Sequence, residues 1–183
     1  MRVISGTFKG RRLKTPTWEG LRPTSDKLRE TLFNVLAPRL GGARVLDGFA
    51  GTGAIGIEAL SRGAREVVFI ERDARAKALV EINLAHCGVQ TGYTVLGTAV
   101  ARAFHMLAAT PGFAPFDIVV LDPPYETPVA EVLAGADAVV APAGVLVLEH
   151  ARKLTPPELS GRLVRVRQIA SGDSTMTLYQ MGT

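Results

Sequence analysis

The sequence predicts an α/β protein whose sheet is mostly parallel and ends in an antiparallel hairpin. Three observations carry this. From Ala43 onward, short β-branched apolar runs alternate with helical stretches across glycine-bearing turns. Runs such as Ile118 to Leu121 are apolar on both faces, as strands covered by helices on two sides must be. The last two strand-like segments, Arg162 to Ile169 and Ser174 to Gln180, have only Ser171-Gly172-Asp173 between them. They pair antiparallel.

In chain order, residues 1 to 20 hold two short strand-like pieces, Met1 to Gly6 and Gly10 to Lys14, read as a hairpin. Thr24 or Ser25 caps a helix whose apolar stripe is Leu28, Leu32, Phe33, Val35 and Leu36, ended by Pro38 and Gly41-Gly42. Lys27, Arg29 and Glu30 are read as its solvated face. Strands follow at Arg44 to Asp47, Glu66 to Glu71, Tyr93 to Gly97, Phe116 to Leu121 and Gly144 to Glu149. Helices are expected over Ala54 to Ser61, Ala74 to His86, Thr98 to Ala108 and Val129 to Val140. With the terminal pair this makes a seven-stranded sheet. The division expected is a small N-terminal unit, 1–42, and a ligand-binding domain, 43–183.

Composition narrows the class. Charged residues are 21% of the chain and apolar residues 47%, with mean hydropathy +0.20, enough for a full core. No apolar run reaches the roughly 18 residues of a membrane helix, and the first residues carry no signal-peptide pattern. A cytoplasmic protein without membrane attachment is expected, and nothing requires more than a monomer. One cysteine, Cys87, excludes an internal disulfide, and three histidines at no ligand spacing point away from a structural metal. Cys87 itself reads as a buried thiol. The net charge of +4 is unevenly placed: residues 1–44 hold ten Lys/Arg against three Asp/Glu, the rest eleven against fourteen. Lys9, Arg11, Arg12 and Lys14 therefore form a candidate phosphate-binding edge. Trp18, alone, is read as packing.

Asp47-Gly-Phe49-Ala-Gly51-Thr-Gly53-Ala-Ile-Gly56 is a G-x-G-x-x-G loop between strand and helix, and Glu71 ends the next strand. This spacing serves adenosine-bearing ligands, with the acid on the ribose. Asp47 redirects the reading, because a carboxylate at the mouth repels pyrophosphate and attracts an ammonium. The candidate cofactor residues are Asp47, Phe49, Gly51, Gly53, Glu71, Arg72, Thr98 and Ala99. Asp122-Pro123-Pro124-Tyr125 ends the fourth strand at the edge where α/β ligands bind. Asp122 and the Pro123 carbonyl are acceptors fixed on a turn that Pro124 stiffens, and Tyr125 presents an aromatic face. Asp-Pro-Pro-Tyr resembles the signature of methyltransferases acting on exocyclic amines, which implies that the acceptors meet the amine and Tyr125 a splayed base.

Beyond these motifs the chain resembles the RsmD family of 16S ribosomal RNA guanine-N2 methyltransferases across nearly its whole length. The matching pieces are Arg2-Val-Ile-Ser-Gly, Lys9-Gly-Arg-Arg-Leu, Arg22-Pro-Thr-Ser-Asp, Leu46 through Gly56, Glu58-Ala-Leu-Ser-Arg-Gly-Ala and Asp122-Pro-Pro-Tyr. The resemblance implies a Rossmann-like class I methyltransferase fold and S-adenosylmethionine as donor, leaving S-adenosylhomocysteine, with no metal. It implies as substrate a guanine, at position 966 in conventional rRNA numbering, of the assembled or assembling small ribosomal subunit, with ribosomal proteins within reach. It makes residues 1–42 an RNA-contacting appendage and extends the candidate RNA set to Arg22 and Thr24. Thr98 stands where many relatives carry an acid toward the adenine amine. Gly48 and Ser171-Gly172-Asp173 also depart from the family pattern.

Three other readings compete. An adenine-N6 methyltransferase on DNA or RNA would share the tetrapeptide, but the chain leaves no room for a target-recognition domain. A nicotinamide oxidoreductase would share the glycine loop, but it needs a substrate domain and a hydride-transfer acid. A non-catalytic RNA-binding factor would not need Glu71, Asp122 and Tyr125.

Overall fold

The computed structural model describes residues 1–18 and 26–182. Its elements run α1 (Asp26–Leu40), β1 (Arg44–Gly48), α2 (Ala54–Ser61), β2 (Glu66–Ile70), α3 (Ala74–His86), β3 (Tyr93–Leu96), α4 (Val100–Ala108) and β4 (Phe116–Leu121). There follow α5 (Val129–Leu133), a 3-10 turn (Ala136–Ala138), β5 (Val140–Ala151), β6 (Leu159–Ser160), β7 (Leu163–Ser171) and β8 (Ser174–Met181). All eight strands lie in one sheet of order β3-β2-β1-β4-β5-β8-β7-β6. The first five are parallel, and β8, β7 and β6 are antiparallel to their neighbours. This is the Rossmann-like class I methyltransferase arrangement expected from the strand–helix alternation.

Alternate residues of each central strand feed two cores. Val45, Val67, Phe69, Ile118 and Val120 point toward α1, α2 and α3, whereas Leu46, Val68, Ile70, Val119 and Leu121 point toward α4, α5 and the 3-10 turn. Val3 and Leu13 of the N-terminal arm and Leu28, Leu32, Phe33 and Leu36 of α1 share the first of these cores. Helices on both faces explain why these strands are apolar throughout.

Set beside the sequence expectations, the structure agrees in most elements and departs in several. The sheet has eight strands rather than seven, because the two-residue β6 pairs with the start of β7. The expected N-terminal hairpin is present in short form, as one antiparallel bridge, Arg2 with Arg12, with backbone bonds from Val3 to Arg11 O, Gly10 to Val3 O and Leu13 to Met1 O. The Ile4, Ser5, Phe8 and Lys14 amides bond to helix side chains. The helix expected from Val129 to Val140 stops at Leu133, since Gly135 takes φ 75 and breaks it. Strand β5 starts earlier and ends later than Gly144 to Glu149. Finally, Arg29 is not on a solvated face: it is 0% exposed.

Candidate active site

Strand register builds the site. Gly48, the last residue of β1, pairs with Ile70 of β2 and with Leu121 of β4, and Ile70 pairs with Leu96 of β3. Four strands thus end flush, and Phe49, Glu71, Gly97 and Asp122 all leave the sheet at one edge. Successive connections from β1 run to β2 and β3 on one side, while β4 and β5 lie on the other. The gap between β1 and β4 is the topological switch point, where open α/β sheets hold ligands.

The loop after β1 is tightly held. Ala50 donates its amide to Ile70 O at 3.0 Å, and Gly53 donates to Ala50 O at 2.7 Å. Phe49 sits at φ 64, a left-handed conformation rare for a bulky residue. Gly53 opens α2 at φ 77, which a glycine accepts without a Cβ penalty. Gly56 has a different reason to be small: a Cβ there would lie 2.1 Å from Phe69 Cε1, so α2 packs directly on β2. The Glu71 carboxylate joins the loops after β1 and β2, accepting Gly51 N–H at 2.9 Å and Asp73 N–H at 2.9 Å. A carboxylate has about four acceptor sites, so capacity remains for hydroxyl groups.

Asp47 is 1% exposed and accepts the Gly56 amide at 2.8 Å. Burial pushes its carboxyl well above the ordinary range; the Gly56 bond opposes this, and the charges of Asp122 and Glu71 add to it. Three acids, from the ends of β1, β2 and β4, therefore repel one another at one crevice. Such a mouth suits a cationic ligand and disfavours a pyrophosphate. Among the described residues no group of His, Cys, Asp or Glu side chains is arranged to hold a metal ion, and no helix is long and apolar enough to cross a membrane.

Asp122 is half-buried, its amide donating to Gly48 O at 3.4 Å, and Pro123 is buried beneath it. Thr127 donates to Pro124 O at 2.9 Å and closes the turn. The Tyr125 hydroxyl and Ser174 Oγ are 2.7 Å apart, so the turn is tied to the first residue of β8. Leu121 pairs with Leu148, which places Glu149, within β5, beside Asp122. Arg72 and Ala99 are exposed and Thr98 half-buried; Ala99 caps α4 with extended backbone, directly beyond the end of β3.

In the arm, Lys9, Arg11, Arg12 and Lys14 are all exposed. Arg11 is also anchored, donating to Cys87 O and lying 5.5 Å from the Phe8 ring centroid. Cys87 is buried at the end of α3, as expected. Trp18 is half-buried and carries the Arg75 guanidinium 5.1 Å from its ring centroid. Arg22 and Thr24, like the proposed caps Thr24 and Ser25, lie outside the described residues.

What sequence reasoning missed is the clamp under this arm. Glu58 of α2, 0% exposed, accepts Ile4 N–H at 2.7 Å, Ser5 N–H at 3.0 Å and Arg62 Nε at 2.7 Å. Arg29 Nη1 lies 3.9 Å from it, while Arg29 Nη2 donates to Arg2 O and Asp26. Ser61 Oγ accepts Phe8 N–H and donates to Ser5 O. Two signals were available. Arg29 lies three and four residues before Leu32 and Phe33, hence on the apolar stripe, and Glu58 is the lone charge in the apolar run 54–61.

Comparison with known proteins gives the chain a family and a fold. The family model described as Conserved hypothetical protein 95 matches residues 1–180. YlbH of Bacillus subtilis (strain 168) is 39% identical over 183 residues, covering 98% of each chain. The Ribosomal RNA small subunit methyltransferase D of Escherichia coli (strain K12) is 42% identical over 125 residues, 68% of this chain and 60% of that protein. The solved structure of yhhF from Escherichia coli superposes with a TM-score of 0.84 at 33% identity, covering 100% of this chain and 98% of that one. The chain belongs to the Conserved hypothetical protein 95 family, the RsmD family that its motifs resemble.

Proposed function

We propose that this protein transfers the methyl group of S-adenosylmethionine to the exocyclic N2 amine of a guanine in 16S rRNA, the expected position being 966. The observation that carries the reading is the crevice at the β1/β4 switch point, with Asp47, Glu71 and Asp122 around it and Pro123 to Tyr125 at its rim. Membership of the family, and a relative named for small-subunit rRNA methylation, support the same reading.

The residues fit a cationic ligand in their chemistry: the three acids from the ends of β1, β2 and β4 repel one another without a positive charge between them. Bound here, S-adenosylmethionine supplies an electrophilic methyl group on a sulfonium. Asp47 and the loop from Phe49 to Gly53 receive its amino-acid end, Glu71 with Arg72 its ribose, and Thr98 and Ala99 its adenine. Asp122 and the Pro123 carbonyl accept hydrogen bonds from the guanine amine. That draws its lone pair out of conjugation and holds it in line for a single displacement. Tyr125 covers the base face, and Pro124 limits the turn's freedom to reorganise. Residues 1–42 contact RNA, with Lys9, Arg11, Arg12, Lys14, Arg22 and Thr24 on its backbone, and 43–183 bind the donor. The setting is the cytoplasm, the enzyme a monomer without a metal, and the substrate the small subunit or its assembly intermediate, with ribosomal proteins within reach of contact.

The test is transfer of labelled methyl to small subunits lacking the modification, with wild type and Asp122→Ala in parallel and the nucleoside identified by mass spectrometry. N2-methylguanosine from wild type alone is the expected result. N6-methyladenosine would overturn the substrate, and no transfer at all would overturn the enzyme.

A further inference from the structure

The arm and the cofactor loop meet through one buried amide. Asn83 is 0% exposed on α3. Its Oδ1 accepts the Lys14 amide at 2.8 Å, and its Nδ2 donates to Lys14 O at 3.0 Å and Thr52 O at 2.9 Å. Three of the four hydrogen bonds an amide side chain can make are thus in place. Lys14 is the last of the four residues of the candidate phosphate-binding edge, and Thr52 stands between Gly51 and Gly53 in the loop. Thr52 Oγ1 also lies 3.6 Å from Met1 Sδ, at the other end of the same arm. One turn further along α3, the Cys87 carbonyl takes the Arg11 guanidinium. The site needs an acceptor and two donors in one short side chain. An ionised carboxylate cannot donate, and an aliphatic chain would leave three buried backbone groups unpaired.

We propose that Asn83 is a positioning residue: it locks the basic arm to the cofactor loop, so that RNA held by one and methyl donor held by the other share a single frame. This rests on the proposed function for its consequence but not for its geometry. A buried, satisfied network is stiff, so displacing Lys14 displaces Thr52, and the coupling is reciprocal. Neither Lys14 nor Thr52 alone would show it.

The experiment is a ligand-free double-mutant cycle read by hydrogen exchange at the amides of 50–56. Lys14→Pro removes the N–H that Asn83 accepts, and Asn83→Ser removes the bridge. Lys14→Pro is expected to speed exchange in the loop by about tenfold, the size of one lost buried hydrogen bond. In the Asn83→Ser background it adds nothing further. Loop exchange indifferent to Lys14→Pro, or effects that add, would overturn the proposal, because a merely local role for Asn83 predicts both. If Asn83→Ser does not fold, Lys14→Pro alone still decides whether the arm reaches the loop. With small subunits as substrate, Asn83→Ser is further expected to raise KM for the subunit about tenfold. A wild type that binds no S-adenosyl ligand would fail the functional reading and leave the exchange cycle to judge the coupling.

Discussion

Gly51 donates its amide to Glu71 Oε2 at 2.9 Å, so the loops after β1 and β2 are joined before any ligand enters. Glu71→Gln keeps one acceptor oxygen but loses the charge. Hydrogen bonds to charged groups contribute about 1.5–3 kcal/mol, so S-adenosylhomocysteine is expected to bind roughly 10- to 100-fold more weakly. Titration calorimetry reads this directly, and an unchanged affinity would remove Glu71 from the ribose.

Asp47 sets a pH dependence whose sign follows from its raised folded value. The folded protein favours the protonated carboxyl, so its stabilising contribution is complete below the ordinary carboxylate pKa of about 4. It is lost as pH rises through the raised value. Asp47→Asn keeps an acceptor for Gly56 and carries no charge. It is expected to raise Tm near neutral pH, to change little near pH 4, and to weaken the cationic donor. A gain in Tm confined to acid would show the sign to be wrong.

Removing Glu58 strands several partners at once. Glu58→Ala leaves the Ile4 and Ser5 amides and Arg62 Nε without their acceptor and removes the carboxylate 3.9 Å from the buried Arg29 guanidinium, and breaking a buried ion pair costs about 3–5 kcal/mol. Tm is expected to fall by roughly 10 °C or more, with the arm's amides exchanging faster than those of β4. A loss confined to the arm, with Tm unmoved, would show that the clamp is local.

The arm's cations predict a salt signature. Each phosphate contact contributes about 0.7–0.9 to the slope of log affinity against log salt. Lys9→Ala and Arg12→Ala together are expected to lower the slope for subunit binding by more than one unit, without changing cofactor affinity. A slope equal to wild type would place the RNA elsewhere.

Local periodicity made much of the fold legible. Helices α2 and α3 and strand β4 have the bounds expected from the sequence, because each is a run long enough for its period to show. Strand β6 has two residues and no period, and exists only by pairing with β7. The crevice was legible because Asp47, Glu71 and Asp122 each end a readable strand. The arm's seat was not. Ile4, Phe8 and Lys14 find partners at Glu58, Ser61 and Asn83, 53 to 69 residues away, and no local pattern encodes such a distance. At Arg29 position on the stripe outweighs charge, because Glu58 lies 3.9 Å away inside and Arg2 O and Asp26 take the other guanidinium nitrogen.

Strand β8 pairs with β5 on one side and β7 on the other, although it is synthesised after both. A nascent chain therefore carries the open edges of β5 and β7 until its last strand emerges, and open edges invite pairing with foreign strands. The Tyr125 turn acquires Ser174 only in that same event. The rim at Tyr125 is thus completed last, and a chain stalled or clipped before β8 is expected to aggregate.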